Sequence, residues 1–90
     1  MPQAIVDPEE LDRFASDLKA FNGSMHDLLS RLHSQFQRLG DTWRDQEQQK
    51  FAQEFDQTSR VLNHFMEESE EYISFLHRKA AKVHDYFGQG

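Results

Sequence analysis

GDTWRDQEQQKFAQEF, residues 40–55, is the one stretch where the helical pattern of this chain breaks. It lies near the midpoint of 90 residues, with a long amphipathic segment on each side. Gly40 follows the last apolar residue of the first segment, the place where a helix commonly ends on left-handed backbone that glycine tolerates. Thr42 and Asp45 are both candidate N-caps for the second segment. Asp45 with Gln48 three residues on makes a capping-box pattern. A connection this short forces its flanking helices to pack antiparallel. Trp43, the only tryptophan, sits inside the break. The expected fold is therefore all-α and a single domain: a helix-turn-helix hairpin with helix 1 about 8–39, turn 40–45 and helix 2 about 46–87.

Toward the N-terminus, residues 1–6 read as a short frayed lead. Asp7-Pro8-Glu9-Glu10 then gives a helix start, with Asp7 to cap, Pro8 at the first helical position and two acids suited to the helix dipole. The apolar residues Leu11, Phe14, Leu18, Phe21, Met25, Leu28, Leu32 and Leu39 follow in steps of three and four with one lapse, at Gln35, where Phe36 stands next door: a heptad seam. Ala15, Leu29 and Phe36 form a second stripe beside it. Asn22-Gly23-Ser24 interrupts with poor helix formers, yet the seam keeps phase through it, so one helix is expected. Toward the C-terminus, Phe51, Phe55, Thr58, Leu62, Phe65, Ser69, Tyr72, Leu76, Val83 and Tyr86 form the second seam. Ala52, Met66, Ile73, Ala80 and Phe87 flank it.

Two wide stripes on two helices exceed what one hairpin can bury. One stripe faces the partner helix, and the other would be an exposed apolar patch that a soluble monomer rarely carries. Pairing two hairpins into a four-helix bundle would cover it. The expected dimer-interface residues are those of the flanking stripes: Ala15, Leu29, Phe36, Met66 and Ile73. A chain of this length buries only a thin core, which points the same way.

Composition narrows the function. The formal net charge is −6 and the pI about 5.2, so nucleic acid and anionic membrane surfaces are poor partners. There is no cysteine, which removes disulfide and thiolate chemistry. No apolar run approaches the ~20 residues that a membrane span needs. The first ten residues, MPQAIVDPEE, lack the basic stretch and apolar core of a Sec signal.

Catalytic chemistry is sparse. His26 and His33, like His77 and His84, are seven residues apart, whereas two rings on one helix share a metal ion at a spacing of three or four. No histidine has a carboxylate three residues before it, so the Glu-x-x-His pattern of di-iron bundles is missing. Glu67-Glu68-Ser69-Glu70-Glu71 spreads its carboxylates around a helix and reads as a solvated face. No phosphate loop or nucleophile elbow is present. No enzyme activity, metal or cofactor is expected. Trp43 has a structural role available, as a plug on Phe36, Leu39 and Phe51 that closes the hairpin end. It also has a functional one, with Gly40 and Asp45, as a recognition feature of the turn.

On these residues the chain resembles the WXG100, or ESAT-6-like, proteins of type VII (ESX) secretion. Trp43 at the midpoint, Phe51 and Phe55 in the second helix, the Asp7-Pro8-Glu9-Glu10-Leu11 start and the missing Sec signal carry the resemblance, which spans nearly the whole chain. Two features depart from it. The turn reads Trp43-Arg44-Asp45 where the family has Trp-x-Gly, although aspartate is a good N-cap. The family's Tyr-x-x-x-Asp/Glu export signal is not matched, since Leu76 follows Tyr72 and Gly90 follows Tyr86 at that spacing. The resemblance implies a non-enzymatic protein secreted without a Sec signal as a folded homodimer or heterodimer, the export signal coming from the partner, with a secretion ATPase reading the turn. The alternatives are a cytoplasmic adaptor or chaperone lending its stripe to a partner helix, and a needle-like subunit of another secretion machine.

Overall fold

The computed structural model describes residues 6–88 and consists of two antiparallel α-helices, α1 (Pro8–Leu39) and α2 (Gln46–Gly88). Residues 1–5 of the expected lead, and the side chain of Phe87 in the flanking stripe, lie outside the described part. The hairpin measures 67 × 21 × 15 Å, so it is one helix thick and two wide. Among the described residues no helix is long and apolar enough to cross a membrane.

Local chemistry explains where the helices begin. Asp7 has extended backbone (φ −95°, ψ 113°), and its carboxylate accepts a hydrogen bond from Glu9 N at 3.0 Å, while Pro8 opens the first turn. Asp45 does the same for α2, accepting from Gln48 N at 2.9 Å. Thr42, the other candidate cap, belongs instead to the end of α1: its amide and its hydroxyl both donate to Leu39 O, at 3.1 and 3.3 Å.

Gly40 departs from expectation. Its φ of −62° and ψ of −16° are right-handed, and no described residue has positive φ. The chain keeps winding past Leu39 through tight i to i+3 bonds, from Asp41 N to Arg38 O and from Thr42 N to Leu39 O. The reversal is thus spread over several residues and needs no left-handed position. Arg44 Nε closes the turn by donating to Gly40 O at 2.8 Å.

The larger correction concerns which stripe faces inward. Ala15, Leu29, Ile73 and Ala80 are buried between the two helices, together with Asn22, Ser59 and Ser69. Phe14, Phe21, Leu28, Leu32, Leu39, Phe51, Phe65 and Tyr72, all from the seams expected to close the hairpin, are exposed. Apart from Ser69, a seam residue that stays inside, the two stripes have exchanged roles. Helix axes pack 8–10 Å apart according to the side chains between them, and small residues allow the closest approach. The register set by the contacts between Asp12 and His77, Phe21 and Phe65, and Phe36 and Phe51 brings Ala15 level with Ile73 and Leu29 level with Ser59. Both of these layers pair a large side chain with a small one. The phenylalanines, too bulky for that row, splay onto one outer face.

This inner seam is partly polar. Ser69 Oγ is satisfied by donating to Phe65 O at 2.8 Å. The Asn22 amide and Ser59 Oγ are buried without a protein partner. Beside Asn22 the helices leave an open groove of about 570 Å³, bordered by Gly23, His26, Met66 and Glu70.

Candidate functional site

Two features stand out from the helical scaffold: the turn end and the outer face. At the turn, Trp43 is half-buried and lies over Phe51, ring centres 6.0 Å apart. Phe51 meets Phe36 at 5.5 Å and Phe55 at 6.1 Å; Phe36 and Phe55 make an edge contact at 5.5 Å; and the His33 ring stacks on Phe55 at 4.8 Å. Spacings of 5–6 Å suit offset and edge-on aromatic pairs. Each member is placed by helix periodicity, since Phe51 and Phe55 are one turn apart on α2 and His33 and Phe36 three residues apart on α1. Trp43 is neither fully buried nor fully open to solvent, so the ring both braces the end of the hairpin and contributes to its surface. Of the turn residues expected to act together, Trp43 packs on the cluster, Asp45 caps α2 and Gly40 accepts from Arg44.

The outer face carries the apolar residues that the inner seam rejects. Phe14 and Phe21 are 59% and 52% exposed, which is unusual for phenylalanine in a folded domain. Phe21 and Phe65 meet edge-on across the helices at 6.5 Å. Two apolar depressions open on this face. One, of about 290 Å³, is lined by Leu32, Gln35, Phe36, Leu39, Phe51 and Phe55. The other, of about 380 Å³, lies toward the open end among Phe14, Leu18, Phe65, Tyr72, Phe75 and Leu76. Of the five residues expected on a dimer face, Ala15, Leu29 and Ile73 are consumed by the inner seam, and Phe36 and Met66 are half-buried at its edges. The sequence holds the signal that separates the stripes, namely the smallness of Ala15, Ala52, Ser59 and Ala80, but periodicity alone does not read it.

The histidines are all exposed, and two of them tie one residue to another. His77 Nδ1 lies 2.8 Å from Asp12 Oδ1, pinning the open end across the two helices. His64 Nε2 lies 2.7 Å from Glu68 Oε1, one turn away on α2. The His77–Asp12 pair leaves no mark in the sequence, because its members are on different helices and meet only through the register. Among the described residues no three His, Cys, Asp or Glu side chains gather as metal ligands.

A thin antiparallel hairpin with a tryptophan turn and an uncovered apolar face defines a small helical interaction protein. Comparison with known proteins places it further. The family described as "Proteins of 100 residues with WXG" matches residues 3–86, and this chain belongs to that WXG100 family. No curated protein is significantly similar in sequence. Among solved structures, the secreted protein EsxB of Bacillus anthracis superposes with a TM-score of 0.80 at 28% identity, covering 94% of this chain and 99% of that one. Two point variants of EsxB superpose with TM-scores of 0.80 and 0.78, at 26% and 28% identity, covering 92% and 93% of this chain and 99% and 97% of those. These likenesses make the chain a small ESAT-6-like helical protein of the type VII secretion-related class. Where the family name has glycine, this turn has Asp45, and the cap it forms on α2 shows why the substitution keeps the geometry.

Proposed function

We propose that this protein is a substrate or component of a type VII secretion system, exported as a folded helical dimer and without enzymatic activity of its own. The observation that carries the reading is the Trp43 turn on a hairpin of the WXG100 family. The partly exposed tryptophan, held by Phe51 at the tip of the molecule, presents a rigid aromatic anchor of the kind that dominates recognition energetics. The export ATPase of such a system is the proposed reader of that tip. The outer face is the proposed dimer surface, filled by another hairpin of the same kind. The proposed location is outside the cell.

Export in the native host tests this. The chain is expressed with the secretion ATPase intact and with it deleted, and the culture medium is blotted. The protein is expected in the medium only when the ATPase is present. Retention in the cytoplasm under both conditions would leave the adaptor reading, in which the outer face serves a resident partner helix. Within these ninety residues neither Tyr72 nor Tyr86 is followed by an acid four positions on. A second arm therefore deletes the neighbouring gene for a small helical protein. Loss of export in that arm identifies the protein that supplies the signal.

A further inference from the structure

Two costs to stability fall side by side in the middle of α1. Asn22 is 5% exposed, and both polar atoms of its amide are buried without a partner. Gly23, next to it, is a poor helix former, and nothing lies within 4 Å of where its Cβ would stand. Both residues border the open groove of about 570 Å³ between the helices. Departures from local rules that gather at one cavity are expected where a chain keeps a binding site at the expense of stability.

The groove is on the back of the hairpin. At about 100° per residue, Gly23 and His26 fall on the far side of α1 from Phe14, Phe21 and Leu28. None of the exposed large apolar side chains of the described residues lines it. The groove therefore stays open when the outer face is covered, and it offers another protein little apolar area to bury. Its volume falls within the range of about 300–1,000 Å³ that small-molecule sites occupy.

We propose that this groove binds a small hydroxylated amine of the amino-sugar class. The Asn22 amide presents N–H donors and a carbonyl acceptor, and a ligand hydroxyl, which both donates and accepts, answers the two together. Asn63, on the α2 rim, offers the same pair of functions from the other helix. The charge of the ligand follows from the remaining rim. Asp27 on α1 and Glu67 and Glu70 on α2 border the groove, whereas no lysine or arginine of the described residues does. Glu67 and Glu70 make no ion pair within the hairpin, and Asp27 has only the His26 ring beside it, at 3.7 Å. An ammonium group on the ligand is what these carboxylates lack. A bare polyamine would supply the charge but only donors, leaving the Asn22 N–H groups unpaired. Met66, half-buried and level with Asn22 in the register of the two helices, is unbranched and flexible, and it is the part of the floor that shifts to admit the hydroxyl.

The test is a titration of the purified chain at physiological salt, followed by the backbone and Asn22 side-chain amide signals in nuclear magnetic resonance. The probes are glucosamine, glucose and spermidine. Glucosamine is expected to shift the signals around Asn22, Asn63 and Glu70 in a saturable way. Glucose, without the charge, and spermidine, without the hydroxyls, should each bind at least about tenfold more weakly. Asn22→Leu should weaken glucosamine binding at least about tenfold while melting no lower than wild type, so that lost binding is not lost fold. Glu70→Gln changes only the exposed rim and should weaken binding severalfold, which keeps the test independent of how Asn22→Leu folds. Ser59→Ala removes the other unpartnered buried group, which does not line the groove, and should leave binding unchanged. No saturable shift with glucosamine at millimolar concentration would overturn the proposal. So would glucose or spermidine binding as tightly as glucosamine, the second being general attraction of a polycation to an acidic chain. Binding that survives both Asn22→Leu and Glu70→Gln, or that Ser59→Ala weakens as much as they do, would overturn it too.

Discussion

The turn end and the middle of the hairpin are held together by different chemistry. At the turn, five rings from both helices and the connection interlock: Trp43, Phe51, Phe36, Phe55 and His33. At mid-length the helices meet through Asn22, Leu29, Ser59 and Ser69, two of them with buried polar atoms that have no protein partner. The apolar bulk that could have filled the middle, including Phe21, Leu28 and Phe65, lies on the outer face. The difference teaches that this hairpin closes itself at one end and leaves its main apolar surface for another molecule. Small inner residues make the sheet of two helices thin, and thinness suits a subunit of a four-helix bundle better than a free-standing domain.

The comparison can be broken most forcefully at the inner seam. Ile73→Glu puts a carboxylate where the side chain is 5% exposed, and removing a charge from water without a partner is expected to destabilise the hairpin by at least ~3 kcal/mol. Thermal unfolding by circular dichroism checks this. A variant that keeps its melting temperature and loses only dimerisation would restore Ile73 to the outer face. At the turn, Trp43→Ala should lower stability by roughly 2–4 kcal/mol, the range for losing a packed aromatic. An unchanged denaturation midpoint would show that the ring serves recognition alone.

The middle should respond in the opposite direction. Asn22→Leu replaces an unpaired buried amide with an apolar group of similar volume, and is expected to raise stability by about 1–2 kcal/mol. A lower melting temperature would reveal a hydrogen bond to Asn22 through water in the adjoining groove. Gly23→Ala, with nothing within 4 Å of the added Cβ, should add close to 1 kcal/mol through helix propensity. Hydrogen exchange along α1 would show whether the gain is local. The smallest effect belongs to Asp45→Gly, which restores the family's turn residue. Glycine caps a helix almost as well, so a change of only a few tenths of a kcal/mol is expected by urea titration.

The sequence by itself determined the hairpin. Steps of three and four made the helices, Asp7-Pro8 started α1, Asp45 with Gln48 started α2, and a short link around Trp43 required the two to run antiparallel. Those signals are local, each acting within a turn of helix, and so they can be read from neighbouring letters. The family resemblance rested on the same local features. Tertiary structure decided what locality cannot. It chose between two adjacent stripes by side-chain size, placing Ala15, Leu29 and Ile73 inside and the phenylalanines outside, because helices approach closest along their smallest residues. It put Asn22 in the seam as well as in the helix, and it joined His77 to Asp12 across the open end. It also let Gly40 stay right-handed, since the turn spread its reversal over several bonds rather than one residue. Each of these depends on the distance and register between two helices, which exist only once the chain has folded back on itself.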